Sequence, residues 1–257
     1  MTVQTLQMSV IRDSLREATS ALTQTDVHLW LADLGQTTER LIQLTATLSM
    51  NERERAARFR FPEHQERFIV GRGLLRELLG AYLDRPAATL CFNQGSHGKP
   101  TLAGEAAEAG LHFNLSHSGD RVLYAVAYRE VGVDLEIMDR RLDHAAIAER
   151  ICTPREWAAF QGLSAQGLSA KRIHEIFFAC WTRKEAIAKA LGEGLASGLS
   201  KLEVCDWDHE RLHKRVGLNT AGREWSVLNL PLEATWAGAL AAAGVDWHWR
   251  GWRWEGI

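Results

Sequence analysis

Hydrophobic and polar positions along this chain switch between a period of two and a period near 3.6, and the switches mark its elements. Residues 27–34 alternate Val27, Leu29 and Leu31 against His28, Trp30 and Ala32, which predicts a strand. Ser49 or Asn51 can cap a short helix over 52–59, which has acids in its first turn. A longer helix over 66–83 carries Phe68, Leu75, Leu78, Leu79 and Tyr82 on its apolar side and is ended by Pro86. A short strand at 90–92, a glycine-containing loop at 93–100 and a small, acidic surface loop at 101–110 follow. Residues 111–115 lead into a turn at His117, and 121–128 form a strand rich in Val, Leu and Tyr. In the strand 131–137, Val131, Val133 and Leu135 face one side, and Gly132, Asp134 and Glu136 face the other. Thr153 caps another short helix that opens on Pro154, and 161–170 read as a loop. A helix over 173–191 then shows a buried stripe of Ile173, Ile176, Phe177, Cys180, Ile187 and Leu191, and stops at Gly192-Glu193-Gly194. Strands are predicted at 225–230, 236–242 and 247–254. The first 21 residues are polar with weak helical spacing and are expected to form a loosely held extension.

A faint internal repeat organises these elements. Glu54-Arg55-Ala56-Ala57 recurs as Glu156-Trp157-Ala158-Ala159 about one hundred residues later, and at a similar offset 30–33 falls on 132–135. In each half a capped short helix precedes a longer amphipathic one. The pieces favour two similar α+β lobes, and 257 residues suffice for either one large domain or two lobes.

Composition narrows the function classes. A formal net charge of −2 argues against a general nucleic-acid binder, while leaving room for a local basic pocket. Cys91, Cys152, Cys180 and Cys205 form no C-x-x-C pair and show no metal-ligand spacing, so free thiols in a cytosolic protein are expected. Residues 1–20 lack the apolar core of a signal peptide, and no apolar run approaches the roughly 20 residues of a membrane span. A cytoplasmic location is expected.

The chemistry concentrates on two elements. Two acids on one pleated face, Asp134 and Glu136, repel unless a cation or solvent separates them. They read either as oxygen ligands of a hard divalent ion such as Mg²⁺ or Mn²⁺, or as a strand running out into solvent. On the long helix Trp181, Glu185 and Lys189 stand at i, i+4 and i+8 and share one face beside the core stripe. Glu185 can be a half-exposed partner of its neighbours, or a third carboxylate for the ion with Lys189 serving a phosphate.

Four motifs make the pattern specific. Gly98-Lys99-Pro100, Phe113-Asn-Leu-Ser-His-Ser118, Gly132-Val-Asp-Leu-Glu136 and Trp181-x-x-Lys-Glu-Ala186, in this order, resemble those of the 4′-phosphopantetheinyl transferases. The resemblance is to the larger, pseudodimeric, surfactin-synthetase-activating type. It implies an α+β fold of two similar lobes related by pseudo-twofold symmetry, with the active site at their interface. The lobes would be residues 1–110 and 111–257, the second carrying the metal site, and the tail strands packing on either.

The resemblance implies transfer of the 4′-phosphopantetheine arm of coenzyme A to a serine of an apo acyl, peptidyl or aryl carrier protein, with release of 3′,5′-ADP. It further implies Asp134, Glu136 and Glu185 as Mg²⁺ ligands, with Mn²⁺ an alternative. Glu185 is also a candidate base for the carrier serine, directly or through a metal-bound water. His117 with Ser116 beside it, Lys189 and Lys99 would contact phosphate. Arg55 and Arg72 are candidates for the 3′-phosphate and diphosphate, although this chain departs from the family there, where lysine is favoured near Glu52 and Arg55; solvated helix faces are the alternative. Lys184 falls near the apolar stripe, which suits a structural role. Trp157 and the apolar surface between Ile137 and Ile173 could receive the carrier. A monomer without nucleic-acid or membrane partners is expected. Two rivals use the same residues: a metal-dependent phosphohydrolase acting on a coenzyme A-like diphosphate, and a non-catalytic regulator that binds coenzyme A or a carrier.

Overall fold

Two sheets lie face to face between helical layers in the computed structural model, which describes residues 9–11, 15–95, 98–139, 141–192, 198–205 and 214–254. The first half contributes β1 (Ser9–Ile11), α1 (Leu15–Ser20), β2 (Asp26–Asp33), α2 (Thr38–Thr47), α3 (Met50–Ala57), α4 (Pro62–Leu83), β3 (Phe92–Gln94) and β4 (Pro100–Leu102). Then come β5 (His112–Ser118), β6 (Arg121–Ala127), β7 (Val131–Ile137), α5 (His144–Ile151), α6 (Pro154–Gly162) and α7 (Ala170–Leu191). The chain closes with β8 (Val216–Thr220), β9 (Arg223–Asn229), β10 (Trp236–Ala243) and β11 (His248–Trp254). The protein is of mixed α+β class.

The first sheet runs β1-β11-β2-β6-β5 and the second runs β7-β10-β9-β8. The last strand, β11, inserts parallel to β2, so the C-terminal end completes the first sheet. Strand β2 is buried along nearly its whole length, and its alternation separates two cores rather than core from solvent. Trp30 and Ala32 join Val122, Tyr124 and Val126 under α4, while Val27, Leu29 and Leu31 join Leu123 and Ala125 against the second sheet. From β7, Val131, Val133 and Leu135 enter that inter-sheet core, as the alternation predicts. Each fully buried leucine here, such as Leu75 at 0% exposure, contributes roughly 1.5–3 kcal/mol. The Tyr124 hydroxyl donates to the Gly71 carbonyl at 2.7 Å and pins α4 to the sheet.

Both predicted helix starts are capping boxes: Ser49 with Glu52, and Thr153 with Glu156. Several expectations change. His117 lies within β5, not in a turn, because β5 pairs with β6 through Ser118↔Arg121 and the chain reverses at Gly119 and Asp120. The expected loop 101–110 contains part of β4 and a 3₁₀ turn over Gly104–Ala109, which buries Leu102 and Ala106. Where described, the first 21 residues form β1 and α1 instead of a loose extension, because β11 offers β1 an open edge. Helices α2 and α5 and strand β8 come in addition to the elements expected from the sequence. The free-thiol expectation is also corrected, since Cys180 and Cys205 are bridged while Cys91 and Cys152 are free. Folding brings the two α-carbons to 5.4 Å across 25 residues of sequence. Glu193 and Gly194 of the predicted helix stop lie outside the described residues. No described helix is long and apolar enough to cross a membrane.

Candidate active site

The site forms where the edges of the two sheets meet. Strand β5 ends the first sheet and β7 ends the second, and neither backbone edge pairs with the other. Side chains bridge them instead. Alternation along β5 sends Asn114, Ser116 and Ser118 toward β7, with Phe113, Leu115 and His117 on the opposite side. Asn114 Oδ1 accepts from the Val133 amide at 2.9 Å, which satisfies one free edge donor. Ser116 Oγ donates to Asp134 Oδ1 at 3.0 Å. Ser118 Oγ donates to Glu136 Oε2 at 2.9 Å and accepts from the Ile137 amide at 3.1 Å. The Asn-x-Ser-x-Ser spacing is therefore a ladder that orients the two acids.

Helix α7 covers the acidic face of β7. A Cβ on Gly132 would stand 2.2 Å from the Ala186 carbonyl oxygen and 2.4 Å from the Ala190 nitrogen, so only glycine lets the helix approach this closely. The helix then delivers Trp181, Glu185 and Lys189 to the acids from the shared face that the sequence predicts. Lys189 Nζ lies 2.6 Å from Asp134 Oδ1 and 2.8 Å from Ser116 Oγ, and the Trp181 indole donates to Glu136. Asp134 is 2% exposed and Glu185 is 5% exposed. Burial and the neighbouring Asp134 raise Glu185 to about 7, with Lys189 opposing and Glu136 adding. Glu136 is also raised, by burial and by Asp134, against the Ser118, Lys189 and Trp181 contacts.

Two buried oxygens on this face have no hydrogen-bond partner: Asp134 Oδ2 and Glu185 Oε1. Hard, anionic and unsatisfied, they suit a divalent ion with oxygen preference. The three carboxylates are nevertheless not drawn tightly together. Among the described residues, the three ligand-type side chains that gather within 4.8 Å are Glu156, Cys180 and Cys205, and the two sulfurs of that group are already bonded to each other. At Asp134 the Lys189 ammonium supplies the balancing charge.

The other predicted residues fall into place around this centre. His117 keeps an edge open to solvent; desolvation of the rest of its ring, then the charges of Lys189 and Arg67, lower its pKa. Arg67, on α4, went unnoticed in the sequence because its nearest sequence feature is an ordinary i,i+4 pair with Glu63 at 2.6 Å. Lys99 donates to the carbonyls of Val131 at 3.2 Å and Ala190 at 3.0 Å, a cation at the end of α7 next to the start of β7. Burial lowers it to about 8, with Glu130 opposing. Arg55 and Arg72 belong to a separate group built on Glu52. Arg72 Nε is 2.5 Å from Glu52 Oε1 and its guanidinium lies 4.6 Å from the Phe92 ring centre, while exposed Arg55 stacks over Phe68 at 5.1 Å. Lys184 is wholly buried on Glu156 at 2.7 Å and bonds the Leu199 and Leu202 carbonyls, which matches the structural role expected for it.

Comparison with known proteins agrees with this geometry. A profile of the 4′-phosphopantetheinyl transferase superfamily matches residues 130–242, and one of the 4′-phosphopantetheinyl transferase N-terminal region matches residues 35–129. The chain belongs to the 4′-phosphopantetheinyl transferase superfamily. It is 41% identical over 228 residues to the 4′-phosphopantetheinyl transferase HetI of Nostoc sp., covering 88% of this chain and 92% of that one. It is 36% identical over 162 residues to the 4′-phosphopantetheinyl transferase psf-1 of Bacillus pumilus, covering 63% and 65%. The human L-aminoadipate-semialdehyde dehydrogenase-phosphopantetheinyl transferase is 27% identical over 191 residues, covering 69% and 60%. The protein is thus an enzyme that transfers phosphopantetheine to carrier proteins, with coenzyme A as the family's substrate. The hydrolase and regulator alternatives are not favoured.

Proposed function

We propose that the junction of β5, β7 and α7 moves the 4′-phosphopantetheine arm of coenzyme A onto a serine of an apo acyl or peptidyl carrier and releases 3′,5′-ADP, with Mg²⁺ or Mn²⁺ held by Asp134, Glu136 and Glu185. The pair of unsatisfied buried oxygens, Asp134 Oδ2 and Glu185 Oε1, carries this reading. Leaving a buried carboxylate oxygen without a partner is costly, and hard oxygen donors suit these ions over zinc. When bound, the ion would neutralise charge on the diphosphate.

The chain's own groups do the rest. Ser116 and Ser118 hold the two β7 acids in orientation. Lys189 and His117, with Arg67 close by, meet the phosphates. Lys99 has two of its three N–H donors on carbonyls and keeps the third for a phosphate. Arg55 and Arg72 take the 3′-phosphate, Arg72 with the part of its guanidinium that Glu52 does not engage. Glu185 is the candidate to accept the proton of the carrier serine, directly or through a metal-bound water. In this proposal the enzyme acts as a cytoplasmic monomer of two pseudo-twofold lobes, 1–110 and 111–257, with β5 and β6 of the second lobe joining the sheet of β2 and with Arg55, Arg72 and Lys99 of the first lobe brought to the site. The two capping boxes, each ahead of a 22-residue helix, support that symmetry.

Intact mass spectrometry of several apo carriers incubated with enzyme, coenzyme A and Mg²⁺ tests the proposal. One carrier should gain a single phosphopantetheine arm while 3′,5′-ADP appears in equal amount. Changing the carrier's acceptor serine to alanine should stop both products. Cleavage of coenzyme A without any carrier gaining mass would overturn the transfer.

A further inference from the structure

Three of the four cysteines converge away from the carboxylate site, where α6, α7 and residues 198–205 pack together. The Cys180–Cys205 bridge ties this segment to α7, five residues before Glu185. Cys152, the residue after α5, is free and 5% exposed, and its Sγ lies 4.0 Å from Cys180 Sγ. A thiol thus rests in contact with one sulfur of a disulfide. The two ends of that disulfide differ in access: Cys180 is 3% exposed, whereas Cys205 is half-buried and lines a surface cavity whose charged residues are Arg155, Lys201, Glu203, Lys214 and Arg215, with Arg155 paired to Glu203 at 2.8 Å. The segment has other holds on the fold. Glu156 accepts from the Val204 and Cys205 amides at 2.9 and 3.0 Å, and Lys184 bonds the Leu199 and Leu202 carbonyls. Release of Cys205 would leave its backbone anchored.

We propose that Cys152, Cys180 and Cys205 form a thiol–disulfide exchange site that delivers a reactive thiolate, Cys205, to a basic cavity suited to small anionic disulfides. The Cys152 thiolate attacks Cys180 Sγ; the Cys152–Cys180 bond forms as the Cys180–Cys205 bond breaks, and Cys205 leaves with the electron pair. One disulfide is exchanged for another and the proton given up by Cys152 is recovered at Cys205, so no oxidant or reductant is consumed. An external anionic disulfide then forms a mixed disulfide on Cys205 and departs as one free thiol. With Arg155 balanced by Glu203, the net positive charge of Lys201, Lys214 and Arg215 favours both the Cys205 thiolate and the anionic reagent.

The nucleophile sets the pace. Burial and the Glu156 carboxylate push the Cys152 thiol up to about 11, with Lys184 opposing, so only a small fraction is thiolate near neutral pH. Each pH unit below that value changes the thiolate fraction about tenfold.

The test uses the full-length protein, oxidised and free of reductant, with exposed Cys91 as an internal standard. Native alkylation by iodoacetamide and non-reducing peptide mapping should show Cys205 labelled and a Cys152–Cys180 linked peptide rising together. The Cys205 labelling rate should itself increase about tenfold between pH 7.5 and 8.5, with Cys91 labelling in the same sample reporting that the reagent is active. Oxidised glutathione as probe should form its adduct on Cys205. Cys152→Ser, or Cys152→Ala should the serine variant not fold, should abolish the linked peptide and both Cys205 products while Cys91 reacts as before. In Cys180→Ser, Cys205 should label at once with no lag. Protection of Cys205 in the folded wild type, equal labelling with and without Cys152, or absence of the Cys180–Cys205 bridge from the oxidised protein would each overturn the proposal.

Discussion

Glu52 and Glu156 hold the same position in two versions of one device, and the versions differ in what they leave free. Each is the third residue of a capping box on a helix of eight or nine residues, each is buried, and each is neutralised by the 22-residue helix that follows. In the first half the partners are Arg72 and Arg76, and Arg76 also bonds the Ala87 and Leu90 carbonyls at 2.9 Å. Two guanidiniums exceed what one carboxylate can absorb, so Arg72 keeps charge to offer, its plane on Phe92 beside Arg55. In the second half a single Lys184, 0% exposed, spends its three donors on Glu156, Leu199 and Leu202. Nothing of that cation remains for a ligand. The next residue, Glu185, turns to the other side of α7 and serves the site. One scaffold thus presents spare positive charge in one half and unsatisfied negative charge in the other.

The largest effect expected follows from the negative half. Asp134→Asn should cut turnover about a thousandfold or more, the several kcal/mol that a bound cation contributes, while cooperative unfolding persists. Initial rates over a range of Mg²⁺, beside circular dichroism, give the answer; near-normal turnover of a folded variant would falsify the ligand assignment.

Stability should separate the two devices next. Lys184→Met leaves Glu156 buried without its cation and should cost about 3–5 kcal/mol. Arg76→Met should cost less, because Arg72 still neutralises Glu52. Urea midpoints for both variants decide the order, and a reversed order would mean that the first half, not the second, depends more on its buried pair.

A smaller effect is expected from the β5 ladder. Ser118→Ala removes a donor that orients Glu136 and should weaken metal affinity by about 10- to 100-fold, with little change in the KM for coenzyme A. Titration with Mn²⁺ followed by electron paramagnetic resonance measures it directly. Unchanged Mn²⁺ affinity would reduce Ser118 to an edge-strand cap.

The mildest test is pH, where the halves carry opposite signs. Burial raises Glu52, but the Arg76 and Ser49 hydrogen bonds and the Arg72 charge outweigh it and hold the carboxyl below its ordinary value. Its contribution is present above the unfolded value of 4.5 and is lost as pH falls through the folded one. Glu185, raised to about 7, contributes stability below 4.5 that is lost as pH climbs through 7. Without metal, melting temperature should therefore decline between pH 5 and 7, and Glu185→Gln or added Mg²⁺ should flatten the decline. The same slope in Glu185→Gln would place the titrating group elsewhere.

Much of the site was legible. The alternation in 131–137 separates Asp134 and Glu136 from Val133 and Leu135, and helical spacing joins Trp181, Glu185 and Lys189 on one face; both patterns hold. The sequence matching pairs Glu54 with Glu156 by residue type, yet the residue that shares the capping-box position of Glu156 is Glu52, because the box is defined by the distance from its cap and not by the Glu-x-Ala-Ala pattern. Lys99 and Lys189 both read as phosphate contacts, and nothing local showed that Lys99 also holds the Val131 and Ala190 carbonyls.

By itself the sequence determined which way side chains point within each element, since tetrahedral Cα geometry repeats every two residues in a strand and every 3.6 in a helix. It determined the capping boxes and, through motif order, the family. Only tertiary structure decided that β11 completes the first sheet beside β2, that two unpaired sheet edges meet at Asn114, Ser116 and Ser118, and that Cys180 finds Cys205 with Cys152 against it. Those are contacts between residues distant along the chain. No local periodicity encodes them, because they depend on which buried faces find each other when both sheets close over a common core.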